Sequence, residues 1–288
     1  MHSLPILKPH IRPPSSEQFS QLKQLTSNLA LPTVCQEAHC PNQSECWSQG
    51  TATFMVLGKT CTRGCKFCQV NAASKGDSID ENEPQKLVQA AKQMGLKYVV
   101  ITMVNRDELP DQGATHVAKC ISELKQNGFL TESLVGDFRG DEKLLDQIIA
   151  ANPTVFAHNI ETVASLQGKV RDVRASYSQS LRVLKYAREK GMTYTKSSIQ
   201  LGHGETDEEV IQTMRDLRDA GVNMLTLGQY LRPSAWHLPV QEYASEERFS
   251  YLKQKALEMG FEFVAAGSLV RSSYRAGELF VSRRVPGH

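Results

Sequence analysis

The sequence predicts an α/β fold, a partial (βα)6 parallel barrel with N- and C-terminal extensions. Three observations carry that expectation. Six apolar or β-favouring runs alternate with helix-period stretches from residue 52 onward. Such alternation implies a parallel sheet with helices outside it, which right-handed crossovers curl toward a barrel. The chain of 288 residues is long enough for one such domain, and its 40% hydrophobic content is enough for a full core. A cysteine-rich loop follows the first strand directly, at the end of the strands where barrel chemistry resides.

The strand runs are 52–58 (ATFMVLG), 97–103 (KYVVITM), 130–136 (LTESLVG), 154–159 (TVFAHN), 193–201 (TYTKSSIQL) and 223–228 (NMLTLG). Helix-period stretches lie near 84–95, 114–127, 141–151, 175–190 and 206–220. Before them, four prolines precede position 15, and Phe19, Leu22, Leu25 and Leu29 mark a short helix behind an extended arm. A helix at 246–259 and a short strand, FEFVAAG, follow the barrel. The division expected is an arm and cysteine loop at 1–51, the barrel at 52–245 and a C-terminal helix and tail at 246–288.

The formal charge of +2, from 33 basic and 31 acidic side chains, offers no footprint for nucleic acid or for a membrane surface. No apolar run approaches the ~20 residues that span a bilayer. Seven cysteines lie in the first 120 positions, six of them within 34 residues, behind a start without a signal-peptide pattern. That is not a secreted disulfide scaffold, and a reducing, cytoplasmic compartment is expected.

Cys61, Cys65 and Cys68 form C-x3-C-x2-C. The spacing aims three thiolates at three corners of an iron-sulfur cube and leaves the fourth iron open for a small-molecule ligand, whereas a zinc site normally closes its coordination. Phe67 is placed to shield such a cluster or to contact a bound nucleoside. Upstream, Cys35, Cys40 and Cys46 form C-x4-C-x5-C in a loop rich in turn residues. A second cluster is one reading of this triad, and a zinc site with His39 as fourth ligand is the other. Cys120 falls on the apolar stripe of the 114–127 helix and is expected to be a core thiol.

The strand-end rule selects further candidates: Asn105, Arg106, Asp107 and Glu108; His158, Asn159 and Glu161; Gly202, Gly204 and Glu205; Gln229 and Tyr230. Lys196, inside the fifth strand, requires an anion if it faces the interior. Near the C-terminus, Arg271-Ser272-Ser273-Tyr274-Arg275-Ala276 sets two hydroxyls between arginines.

The C-x3-C-x2-C pattern resembles that of the radical S-adenosylmethionine (SAM) superfamily. Together with C-x4-C-x5-C and R-S-S-Y-x-A it resembles the lipoyl synthases, from about Thr33 to Ala276. GTATFMVLG, HNIETV, GQYLRPS and HLPV agree with that family. The resemblance implies two [4Fe-4S] clusters and SAM. Cys61, Cys65 and Cys68 would hold the cluster that cleaves SAM to a 5′-deoxyadenosyl radical; Cys35, Cys40, Cys46 and Ser273 would hold a second cluster that donates sulfur. Spacing alone leaves Ser272 and Ser273 equal, and the family pattern points to Ser273. The implied reaction inserts sulfur at C6 and C8 of an octanoyl chain on a carrier lysine. Phe67, Asn105, Arg106, His158, Asn159, Glu161 and Lys196 are the expected SAM-site residues.

Implied partners are octanoylated lipoyl carrier domains (2-oxoacid dehydrogenase E2 subunits and glycine cleavage H protein), an electron donor such as ferredoxin or flavodoxin, and an iron-sulfur carrier that rebuilds the spent cluster. Three positions depart from the family pattern. Ser198 stands for a glycine, His203 for a hydrophobic residue, and GSLV at 267–270 for a glycine-proline pair. A methylthiotransferase acting on tRNA also fits two clusters and SAM, but it calls for a nucleic-acid-binding domain and a basic face. A noncatalytic iron-sulfur carrier would not need a barrel with a polar rim.

Overall fold

The computed structural model describes residues 17–38, 40–48 and 53–273. The extreme N-terminal arm, His39 and the Tyr274–Ala276 part of the C-terminal motif lie outside these residues. The elements run α1 (Glu17–Asn28), α2 (Val34–Glu37), α3 (Gln43–Ser48), β1 (Thr53–Val56), β2 (Thr60–Cys61), β3 (Asn71–Ala72), α4 (Glu83–Gln93), β4 (Tyr98–Met103), α5 (Ala114–Gln126), β5 (Leu130–Leu134), α6 (Glu142–Ala150), β6 (Val155–Ala157), α7 (Gln167–Val170), α8 (Tyr177–Glu189), β7 (Tyr194–Leu201), α9 (Asp207–Asp219), β8 (Met224–Gln229), α10 (Glu246–Glu258) and β9 (Phe263–Gly267).

The main sheet has seven strands in the order β1-β4-β5-β6-β7-β8-β9, and every neighbouring pair is parallel. The six expected strands are all present. The seventh comes from FEFVAAG, whose Phe263–Gly267 extends the sheet beyond β8. Two departures are local. β6 ends at Ala157, before the expected His158 and Asn159, and the pairing of β2 with β3 closes the base of the cysteine loop.

Strand alternation sorts the side chains. Outward-facing Phe54, Val99, Ile101 and Phe156 pack with Leu87, Ala91, Val117, Ile121 and Leu124 of α4 and α5. Ile199, Leu201, Leu225 and Leu227 pack with Val210, Met214, Leu217, Phe249 and Leu252 of α9 and α10. Helix termini are set by hydroxyl or carboxylate caps: Asp141, Ser176, Ser245 and the Thr206–Glu209 capping box. Cys120 is fully buried among these helices, as expected of a core thiol. Its neighbours Glu83 and His116 are bonded to each other at 2.7 Å, and Glu83 also accepts from the Leu57 N–H, which fixes the turn leaving β1.

The inner face of the sheet has a floor and a chamber. Tyr98, Val100, Leu130, Val155 and Met224 fill the amino-terminal end. Register places Glu132 beside Val155 and Lys196 beside Ala157 and Met224, immediately above that floor. Toward the carboxyl ends β6, β8 and β9 carry small inward side chains, Ala157, Thr226, Gly228, Ala265 and Gly267, joined by Ser198 of β7, while Thr102, Leu134 and Gln200 stand on the same face. The small ones leave room inside the carboxyl half of the barrel. Gly228 is required for a second reason, since a Cβ there would meet the Val270 carbonyl oxygen at 2.2 Å.

The anion that Lys196 needs is Glu132, at 2.6 Å, with both side chains 2% exposed. Tyr98 donates to the other carboxylate oxygen at 2.7 Å. Lys196 therefore belongs to the floor and not to a SAM contact, which corrects the sequence expectation. Lys196→Met leaves a buried carboxylate without its cation and is expected to cost about 3–5 kcal/mol in urea unfolding, most of it recovered in Lys196→Met/Glu132→Gln. Equal destabilisation of the single and double variants would contradict the pairing.

Candidate active site

The Cys61–Cys68 loop is built in layers from β1 outward. Leu57 and Gly58 turn the chain with φ of 71° and 89°. Asp77 then pins the turn, accepting from the Lys59 and Thr60 N–H groups at 2.7 and 3.1 Å. Thr62 bonds through its N–H and hydroxyl to the Asn105 carbonyl, at 2.9 and 3.0 Å, which fastens the loop to the end of β4.

Arg63 turns inward and is 4% exposed. Its Nε and Nη2 bond Asp107 at 2.9 Å each, and its Nη1 bonds Asp137 at 2.7 Å. Burial alone would push both carboxyls up, but the Arg63 bonds hold them below the ordinary range. The loop that carries the cysteines is thereby anchored on one guanidinium shared by two strand ends.

The three sulfurs converge. Burial is the largest effect on Cys65 and Cys68, pushing the thiols to about 11 and about 12, and each also feels the charge of Cys61. Backbone donors face the sulfurs: Arg63 N–H to Cys61 Sγ and Asp172 N–H to Cys65 Sγ, both at 3.4 Å. Three converging thiols, two of them desolvated, with N–H groups aimed at them suit an iron-sulfur cube, whose thiolates the metal would hold deprotonated.

Around this loop lies the polar rim. Asn159 donates to Glu161 at 3.0 Å and Gln200 donates to its other oxygen at 2.8 Å. Burial raises the Glu161 carboxyl, against the opposing charge of Arg171. Its charge also reaches Cys65 and Cys68. Asn105 sits where Gly136 makes room for its side chain, since a Cβ on Gly136 would meet Asn105 Oδ1 at 2.5 Å.

On another side His203 stacks on Tyr230 with centroids 4.4 Å apart and meets Phe67 edge-on at 6.4 Å. Burial pushes the His203 imidazole down to about 4, so the ring is neutral. Both its ring nitrogens are buried without a hydrogen-bond partner among the described residues, and so is the inward Thr226 hydroxyl. Buried polar atoms of this kind require partners.

Two expected SAM contacts are committed elsewhere. Arg106 is 2% exposed and donates to Glu108, to the Leu57 carbonyl and to the Asp77 carbonyl at 2.7–2.9 Å. It braces the base of the cysteine loop. His158 follows an inward residue and so faces outward, where Nδ1 donates to the Val135 carbonyl and Nε2 accepts from Ser180 of α8, both at 2.9 Å. Strand parity, not loop chemistry, decides its place. Gln229 is similarly occupied, donating to the Leu201, Tyr230 and Glu242 carbonyls.

Other supports were not singled out from the sequence. His237 Nε2 donates to the Cys68 carbonyl at 3.0 Å, and its Nδ1 accepts from Ser234 at 2.8 Å. Asp172 accepts from the Gly64 N–H at 2.8 Å. The charge alternation in RDVR was the available signal for the latter.

The second triad is held at the β1 edge. Thr33 caps α2 and bridges to Phe54, and α2 and α3 carry Cys35 and Cys46. Cys35 is pushed up to about 11, first by burial and then by the nearby Cys40. The buried Trp47 indole N–H has no nitrogen or oxygen partner among the described residues and donates to Cys35, which opposes the effect of burial on that thiol. The chain after β9 returns to this place: Asn42 Nδ2 donates to the Leu269 carbonyl at 2.6 Å, and the charges of Arg271 and Cys40 interact. Ser273, half-buried, ends the described chain.

Removing Arg63 leaves Asp137 without its cation and Asp107 with only the more exposed Arg139 and Arg174. Arg63→Met, made in a Cys35→Ala/Cys40→Ala/Cys46→Ala background, is expected to lower iron incorporated at the remaining triad about tenfold. Iron content unchanged from the Arg63 protein would show that the loop is set by other contacts.

The geometry agrees with what the chain is similar to. Residues 55–217 match the family model described as the radical SAM superfamily. A lipoyl synthase of Picrophilus torridus is 52% identical over 271 residues, covering 94% of each chain. One from Anaeromyxobacter dehalogenans is 52% identical over 270 residues, covering 93% of this chain and 92% of its own. The fold is similar to that of methylornithine synthase, with a TM-score of 0.57 and 15% identity over 87% of this chain and 71% of the other. A convergent three-cysteine loop on a parallel barrel, with relatives matching nearly end to end, places this chain in the lipoyl synthase family of radical SAM enzymes.

Proposed function

We propose that the chain inserts sulfur at C6 and C8 of an octanoyl group on a carrier-domain lysine, with Cys61, Cys65 and Cys68 holding the catalytic [4Fe-4S] cluster. The observation that carries this reading is the convergence of those three thiols in the loop that leaves the carboxyl end of β1. The target carbons are unactivated, and no side-chain acid or base can deprotonate an alkane. With SAM on its open iron, the cluster supplies a carbon radical able to abstract hydrogen there.

The chain's own residues bind, orient and exclude water. Glu161, held between Asn159 and Gln200, is a carboxylate at the rim that accepts from hydroxyl or ammonium groups of SAM. Asn105 contributes from the end of β4. Phe67, His203 and Tyr230 form an aromatic wall for the adenosine, with a neutral imidazole offering one donor and one acceptor to the edge of the base. The chamber over the Glu132–Lys196 floor takes the reacting carbons, and its depth keeps them from solvent.

Cys35, Cys40 and Cys46, with Ser273 as fourth ligand, hold the second cluster, which enters the reaction as the sulfur source. Arg271 beside Cys40 supports this assignment because it brings the hydroxyl-bearing run to the triad and favours a deprotonated oxygen. A serine oxygen is a harder donor than a thiolate and would hold its iron less firmly, which suits a cluster that would supply sulfur. Lipoyl carrier domains, a protein reductant such as ferredoxin or flavodoxin, and an iron-sulfur carrier complete the partners.

Reconstitution under anaerobic conditions is expected to give about eight irons per chain, and Ser273→Ala to cleave SAM while its lipoyl product falls about tenfold or more. Normal product from Ser273→Ala would remove that ligand. His203→Leu is expected to weaken SAM binding about fivefold, read as Kd by calorimetry, because one hydrogen bond to a buried base is worth about 1 kcal/mol. An unchanged Kd would take His203 out of the adenosine site.

A further inference from the structure

The proposed reaction consumes an electron that no side chain here can supply. One electron enters the carbon–sulfur bond of the sulfonium; the thioether leaves with a pair and the carbon keeps the odd electron. The cluster must then be recharged by a reduced carrier, which is oxidised by one electron in turn. The protein needs a place where that carrier comes close to the cysteine loop.

The solvent side of the loop has a distinct construction. Gly64 and Lys66 are exposed there. Two segments clasp the loop from either side. The first is 170–174, through Lys66 N–H to the Val170 carbonyl at 2.9 Å, Gly64 N–H to Asp172 and Asp172 N–H to Cys65 Sγ. The second is 234–238, through Leu238 N–H to the Lys66 carbonyl at 3.2 Å and His237 to the Cys68 carbonyl.

Each clasp holds one large apolar side chain almost wholly in water. Val173 is 93% exposed and Trp236 97% exposed; the other exposed large apolar residues described, Tyr251 and Leu257 of α10, reach only 44% and 48%. Exposed cations accompany them: Lys66, Arg139, Arg174 and Arg232. The nearby acids offset Arg139 and Arg174, and among the described residues Lys66 and Arg232 have no carboxylate partner, so they carry the unbalanced charge of this face. Asp172 is paired with Arg174 at 2.8 Å, and Asp107 is buried beneath Arg63, Arg139 and Arg174.

We propose that this face, Val173 and Trp236 set among Lys66, Arg139, Arg174 and Arg232, is the docking surface for an acidic one-electron carrier protein. The inference rests on the reading that Cys61, Cys65 and Cys68 hold the reducible cluster. Exposed cations draw an acidic partner and set its rate of encounter, while a tryptophan that desolvates on contact supplies the anchor. The path inward is short, because Val173 adjoins Asp172, whose N–H faces the sulfur of Cys65. A carrier of the octanoyl chain has a different requirement: its lysine arm must enter the chamber on the inner face of the strands.

The test uses the full-length, reconstituted protein with Trp236→Ala and Val173→Glu, both fully exposed positions where substitution leaves the fold intact. Binding of flavodoxin, an acidic one-electron carrier, is measured by calorimetry at two salt concentrations. SAM cleavage is measured in parallel with reduced flavodoxin and with dithionite. Flavodoxin affinity is expected to fall about tenfold in each variant, with flavodoxin-driven cleavage slowed and dithionite-driven cleavage unchanged. Unchanged affinity in both variants overturns the proposal. It is also overturned if dithionite-driven turnover of an octanoylated carrier domain falls while that of an octanoyl-lysine peptide does not, which would give the face to the carrier. Absence of dithionite-driven cleavage in the unsubstituted protein would instead defeat the reading of the cysteine loop itself.

Discussion

A single buried guanidinium sets the geometry on which the Cys61–Cys68 loop depends. Arg63 lies two residues after the first cysteine of its triad and is gripped by carboxylates from the ends of β4 and β5. A buried arginine is tolerable only with such partners, and Asp137 depends on it in return, while Asp107 shares it with Arg139 and Arg174. The mutual requirement converts a flexible glycine-containing loop into a fixed one. The surrounding contacts extend the same anchoring: Thr62 to the end of β4, Asp172 to Gly64 and His237 to Cys68. Every strand-end segment that touches the loop thus also determines where the sulfurs point.

The seven-stranded sheet has two edges, β1 and β9, and the second cysteine triad occupies the first of them. The segment after β9 reaches it by passing over Gly228, the residue whose missing side chain admits the Val270 carbonyl. The bond from Asn42 to Leu269 and the charge pairing of Arg271 with Cys40 then join the two edges through side chains in place of a ladder. The sheet itself stays open between β1 and β9.

Much of this was legible in the sequence, because cysteine spacing and strand period are local properties. The six β-α units, the position of the Cys61 loop after the first strand and the core placement of Cys120 follow from patterns within a few residues. The misplaced residues share a different cause. Lys196 was expected to need an anion, and it has one, but Glu132 lies on a strand 64 residues away and no local pattern names it. His158 lies one residue past the last inward position of a strand shorter than expected, and that single step turns it outward. Arg106 has the composition of a ligand-binding residue and the contacts of a brace. Chemistry-bearing residue types were found; which of them face the chamber is a property of register.

The span between Asn42 and Leu269, 227 residues, gives the two triads different histories during synthesis. The surroundings of Cys61, Cys65 and Cys68 draw on β4, β5 and the Asp172 segment, with the His237 strap added later. The other triad leaves the ribosome well before its enclosing segment, since Asn42 and its acceptor Leu269 are 227 residues apart. Until that segment emerges, Cys40 lacks the cation beside it and Asn42 lacks its acceptor. The surroundings of Cys35, Cys40 and Cys46 are therefore complete only once the segment after β9 has folded back over them.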